Sequence, residues 1–109
     1  MNSNTGLKEY DWKIIKETIS RYSEIEEAIL FGSRAKGTYR TGSDVDIALV
    51  GKKINHTIIS GISLWLNEET LMPYKFDVVH FNKIQSPDLI EHIKRAGISF
   101  YKKTKISER

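Results

Sequence analysis

The chain has 109 residues, 17 Lys and Arg against 14 Asp and Glu, three His and no Cys, which suits one domain and excludes a disulfide scaffold and every thiolate metal site. Its net charge of +3 sits at one end: residues 94–109 carry six basic side chains and one acid, residues 1–93 carry eleven basic and thirteen acidic ones, which disfavours direct nucleic-acid binding by the body. No apolar run approaches the roughly 20 residues that span a bilayer and residues 1–8 lack a signal peptide's apolar core, so the expected address is the cytoplasm, with no membrane partner.

Leu7, Tyr10, Ile14, Ile15, Ile19 and Tyr22 recur at steps of three and four, which predicts an amphipathic helix over about residues 7–22. Ala28-Ile29-Leu30-Phe31 is a short apolar run closed by Gly32-Ser33 and reads as a buried strand. From Gly32 to Ser43 the chain is polar and Gly-rich, a loop with room for one helical turn. Asp46–Val50 reads as a second strand stopped by Gly51. Ile58, Ile62, Trp65 and Leu66 put an apolar stripe on a helix between about 55 and 69, and Pro73 then breaks the chain.

Lys75–Phe81 reads as a third strand. Ser86-Pro87-Asp88 is a helix start, with a capping hydroxyl, Pro at the first position and an acid in the first turn. Gly97 is its expected stop, and Ile98–Tyr101 an expected last short strand. No repeat or linker interrupts the pattern, so residues 1–109 are expected to form one domain with a basic tail from about residue 102. The fold class expected is α/β (α+β), a small mixed β-sheet of three to four strands with helices packed on it.

The chemistry concentrates in residues 31–46. Asp44 and Asp46 are two apart where a strand begins, so both carboxylates point to one face. Like charges held that close repel, and oxygen-only ligands favour magnesium or manganese over zinc. Asp77 is a third carboxylate inside an apolar strand, where Asp is disfavoured and an unpaired charge is costly; a metal shared with Asp44 and Asp46 accounts for it. A turn cap at Asp44 and a salt bridge at Asp77 are the plainer alternatives. Gly32 permits close backbone approach, Ser33 adds a hydroxyl, and Arg34, Lys36 and Arg40 in the same loop are candidates for neutralising a polyphosphate. His56, His80 and His92 show no metal-ligand spacing, Trp12 and Trp65 read as core or interface aromatics, and Tyr39 as a loop aromatic.

Gly32-Ser33, ten residues, then Asp44-Val45-Asp46 resembles the G-S-x10-D-x-D signature of the DNA polymerase beta-like nucleotidyltransferases. Average composition yields that pattern by chance in about one chain of this length in a thousand. Phe31–Gly37, Lys75–Val79 and Ile93–Tyr101 extend the resemblance over roughly residues 7–103, toward the minimal nucleotidyltransferases (MNT) that act as antitoxins of HEPN/MNT toxin–antitoxin systems. The resemblance implies the palm-like fold of that superfamily and transfer of AMP from ATP to a hydroxyl, expected to be a tyrosine of a HEPN-domain RNase toxin in a hetero-oligomer. It implies two Mg2+ ions, with Mn2+ as substitute, on Asp44, Asp46 and Asp77 as metal ligands and catalytic residues. Gly32, Ser33, Arg34, Lys36 and Arg40 would hold the nucleotide. Larger relatives carry an added acceptor-recognising domain, so here the acceptor is expected on a separate partner. Two alternatives stay open: a nucleotide-binding subunit that neutralises a HEPN partner by contact alone, and a small-molecule nucleotidyltransferase.

Overall fold

The apolar periodicities become four helices and four strands in a computed structural model that describes residues 3–103. The first stripe folds as α1 (Glu9–Ser20), burying Trp12, Ile15 and Ile19. It starts two residues later than its spacing predicts. Leu7 is buried in the lead-in instead, and Asp11 in the first turn accepts the Lys8 N–H at 2.9 Å, fixing the entry. Next come β1 (Glu27–Phe31), the single turn α2 (Ser33–Lys36), β2 (Val45–Val50) and α3 (His56–Glu68). Asn55 caps α3 by accepting the Ile58 N–H at 2.9 Å.

β3 (Phe76–His80) is shorter than expected, because Phe81 enters a 3-10 turn over Phe81–Lys83. α4 (Pro87–Ala96) starts as its sequence predicts, with the Ser86 hydroxyl accepting the Leu89 N–H at 3.2 Å. It stops at Gly97 for a different reason than a left-handed turn. Gly97 is extended (φ −72°, ψ 154°), but a Cβ there would meet the Ile93 carbonyl and lie 2.6 Å from the Ile29 side chain. The last strand is β4 (Ile98–Lys102). Of the basic tail expected from about residue 102, Lys102 ends β4 and Lys103 donates its N–H to the Glu26 carbonyl at 2.9 Å, while residues 104–109 lie outside the described residues.

The strand order is β3-β2-β1-β4, a mixed sheet in which β1 pairs antiparallel with β2 and β4 while β2 and β3 run parallel. A parallel pair needs a crossover, and α3 supplies it. Leu30, Ile47, Leu49, Phe76, Val78 and Phe100 face α1 and α3 in the main core. Phe31, Ala48 and Val79 face the other way and pack with Ile93 and Leu89 of α4. The sheet is therefore covered on both sides, and central β2 is buried almost throughout. The outer edge of β3 is closed at Phe76 by the Asn67 side chain, which accepts its N–H at 2.7 Å and donates to its carbonyl at 3.0 Å, as a neighbouring strand would. No helix among the described residues is long and apolar enough to cross a membrane.

Candidate active site

Three chain segments meet at one end of the sheet, where β1 finishes and β2 and β3 begin. The parallel register sets Asp46, second in β2, opposite Asp77, second in β3. Neighbouring strands lie about 4.8 Å apart, so these two carboxylates rise side by side on the face that α4 covers further along. Asp44 precedes β2 by one residue and follows the same alternation. On the other side, Phe31 closes β1 opposite Asp46, which delivers Gly32 and Ser33 beside that carboxylate.

Asp46 is half-buried while Asp44 and Asp77 are exposed. Burial pushes the Asp46 carboxyl above its ordinary value, the charges of Asp77 and then Asp44 push it further, and Arg34 partly offsets them. The three carboxylates thus repel one another through Asp46. Contrary to the expectation of a costly charge inside an apolar strand, Asp77 is exposed on an edge strand, so no burial cost attaches to it. No described residue forms an ion pair with it. Its placement opposite Asp46 is what connects it to the site.

Gly32 turns the chain out of β1 with φ 78° and ψ −157°, a region essentially closed to other residues. A Cβ here would run into Oδ2 of Asp46 and come within 3.1 Å of its Cγ, so the absent side chain is the space the carboxylate uses. Ser33 opens α2, and its hydroxyl makes no hydrogen bond with the described residues.

The three basic loop residues divide. Lys36 and Arg40 are exposed and border a polar recess of about 680 Å³ shared with Gly37, Tyr39 and Thr41. Arg34, expected to meet the nucleotide, is turned inward and is 3% exposed. Its Nη1 donates to the Thr5 carbonyl at 2.9 Å, and its Nη2 and Nε donate to the Ser43 carbonyl at 3.0 and 3.3 Å. The rings of Tyr39 and Tyr74 sandwich it at 5.0 and 4.9 Å. A planar, five-donor group is suited to such a fork. Arg34 thereby ties α2 to the residue immediately before Asp44.

Two participants escaped the sequence reading. Tyr74 stacks on Arg34 and donates its hydroxyl to Asp11 at 2.7 Å; burial and that bond push its pKa up to about 12. His92 on α4 accepts the Gly32 N–H at 3.1 Å. Neither has a fixed spacing to the Gly-Ser or Asp-x-Asp pairs, and only the packing of distant elements brings them in.

The carboxylate-only donor set and the mutual repulsion at Asp46 suit a hard divalent cation. Among the described residues no three acidic or imidazole groups are gathered closely enough to hold a metal ion.

None of the curated proteins is detectably similar in sequence. Among solved structures, the chain matches a toxin–antitoxin crystallised with AMP-PNP (23% identity over 88% of this chain and 76% of that one, TM-score 0.68). It matches the toxin–antitoxin MntA–HepT (18% identity, 99% and 78% covered, TM-score 0.61). It also matches a complex of tri-AMPylated HEPN toxin with MNT antitoxin from Shewanella oneidensis (16% identity, 89% and 77% covered, TM-score 0.59). At these identities the likeness establishes the fold, a four-stranded mixed sheet with helices. The sequence profile of the family Polymerase beta, Nucleotidyltransferase matches residues 13–106, and the chain belongs to that family.

Proposed function

We propose that this protein transfers AMP from ATP to a hydroxyl, a tyrosine of a HEPN-domain RNase partner, and acts as the antitoxin in a hetero-oligomer with it. The observation that carries the proposal is the register of Asp46 with Asp77 beside the Gly32–Ser33 turn. The MNT antitoxin complexed with tri-AMPylated HEPN toxin, and the toxin–antitoxin crystallised with AMP-PNP, support the choice of group transferred and of partner.

Asp44, Asp46 and Asp77 would hold two Mg2+ ions, or Mn2+ in their place, which when bound neutralise the triphosphate and sharpen the acceptor hydroxyl as a nucleophile. The chain's own residues do the rest. The Ser33 hydroxyl orients the phosphates beyond the α-phosphorus, and exposed Lys36 and Arg40 lower the local negative charge. Asp77 stands exposed at the sheet edge, where an acceptor can approach, and takes the proton as the hydroxyl oxygen bonds to the α-phosphorus and the bond to pyrophosphate breaks. Arg34 steadies the Ser43 carbonyl and hence the approach to Asp44. Holding the reacting oxygen and phosphorus in line is the larger part of such catalysis.

The test is intact-mass spectrometry of a HEPN-domain partner incubated with this protein, Mg2+ and ATP. A gain of one or more adenylyl groups, absent with the Asp44→Ala, Asp46→Ala double variant, is the expected result. No gain with any of the common nucleoside triphosphates overturns the proposal. Neutralisation of the toxin by the double variant would instead favour inhibition by contact.

A further inference from the structure

A residue that leaves a strand loses its ladder partners, and its amide must be satisfied elsewhere. At Gly32 the acceptor comes from another element: the N–H donates to Nε2 of His92 at 3.1 Å, across 60 residues of sequence. The Gly32 carbonyl accepts the Lys36 N–H at 3.2 Å. Both backbone groups of Gly32 are thus engaged inside the protein, while the Ser33 hydroxyl and the Ser33 backbone N–H have no hydrogen-bond partner among the described residues.

The imidazole is itself held. The ring of Phe31, the last residue of β1, meets it edge-on, with centroids 6.2 Å apart and planes at 74°. The next residue, Ile93, is 1% exposed and packs with Phe31 and Ala48 beneath α4. Docking of α4 by Ile93 therefore sets where His92 stands. Because a backbone amide only donates, Nε2 carries the lone pair and the ring proton lies on Nδ1.

We infer that His92 is a positioning residue: it holds the Gly32–Ser33 turn in the shape that presents the Ser33 hydroxyl to a polyphosphate and leaves room for Asp46 against Gly32, without touching the nucleotide. The inference takes its ligand from the adenylyl-transfer reading but its geometry from the turn alone. A single hydrogen bond that orders a loop is worth up to about tenfold in affinity.

His92→Phe keeps a ring against Phe31 and removes the acceptor. His92→Gln returns a carbonyl oxygen near the position of Nε2. In the full-length protein the Gly32 amide, followed by NMR hydrogen exchange, is expected to exchange at least about tenfold faster in H92F and to recover in H92Q. The KM for ATP in transfer to the HEPN partner is expected to rise about three- to tenfold in H92F, with the KM for the partner unchanged and H92Q within about twofold of the parent. Unchanged Gly32 exchange in H92F overturns the inference, as does faster exchange with an unaltered KM for ATP. Should the parent protein transfer nothing, the adenylyl-transfer reading falls separately, and titration of the Ser33 amide with inorganic tripolyphosphate replaces the KM: weaker binding by H92F sustains the positioning role, and equal binding removes it.

Discussion

Gly32→Ala perturbs the site at its narrowest point. The residue sits at φ 78° and ψ −157°, where a side chain costs on the order of 1–3 kcal/mol in strain. For a domain near 100 residues each kcal/mol moves the melting temperature by about 4–8 °C, so the expected fall is about 4–24 °C. The added methyl also lands on Oδ2 of Asp46. The carboxylate is the free end of a short side chain and can swing aside, so this collision costs little stability but moves a group proposed to be catalytic, and misplacement of such a group by about 1 Å can cost a hundredfold in rate. Gly37→Ala is the matched control, since Gly37 also has a positive φ of 80° but faces open space. Differential scanning fluorimetry and the adenylyl-transfer assay together separate the effects: G32A should lose both stability and transfer, G37A stability alone. An unchanged melting temperature for G32A, or an equal loss of transfer in G37A, refutes the reasoning.

Asp46→Asn addresses the raised carboxyl. Because folding raises its pKa above the unfolded value, the metal-free protein loses stability as pH climbs from the ordinary Asp range through the folded pKa, and that deficit persists at neutral pH. D46N should therefore melt higher than the parent at pH 7 without metal, while losing any stabilisation by Mg2+; a lower melting temperature contradicts this. Tyr74 titrates with the same sign at the alkaline end. Its pKa of about 12 against 10.0 means stability present below pH 10 and lost as pH rises through 12, a slope that Tyr74→Phe should flatten in urea melts across that range. Arg34→Lys keeps the charge but gives up the fork to the Ser43 and Thr5 carbonyls, and should lower the urea midpoint by the equivalent of about 2–3 kcal/mol. A variant with unchanged stability and only a raised KM for ATP would return Arg34 to the nucleotide.

Local signals were strong where a segment answers to its own chemistry. The Ser86-Pro87-Asp88 start of α4 and the Ile58, Ile62 and Leu66 stripe of α3 were legible because capping and helical periodicity are short-range, whereas Trp65, expected in that stripe, is exposed. Leu7 misled the spacing argument: it is buried like a helical stripe residue but lies before α1, and burial alone does not report backbone conformation. Gly97 stopped α4 as expected but through crowding against Ile29 and Ile93, a contact invisible before β1 and α4 are packed. Trp12 was legible as core and meets Phe100 with ring centroids 5.0 Å apart and planes tilted at 55°, yet its Nε1 has no hydrogen-bond partner among the described residues, which no pattern foretells.

By itself the sequence determined the inventory of this site: a Gly-Ser turn after one strand, two carboxylates in phase at the start of the next, and a third in a later strand. Those follow from chain connectivity and the two-residue period of a strand. Only the tertiary structure decided how the inventory is used. The parallel register of β2 and β3 made Asp77 the neighbour of Asp46. The rings of Tyr39 and Tyr74 and the Thr5 and Ser43 carbonyls took Arg34 into a buried setting. The docking of α4 put His92 on the Gly32 amide. The physical reason is common to all three: a side chain's partner is set by which distant surface is buried against it, and that depends on the order of strands and the faces of helices.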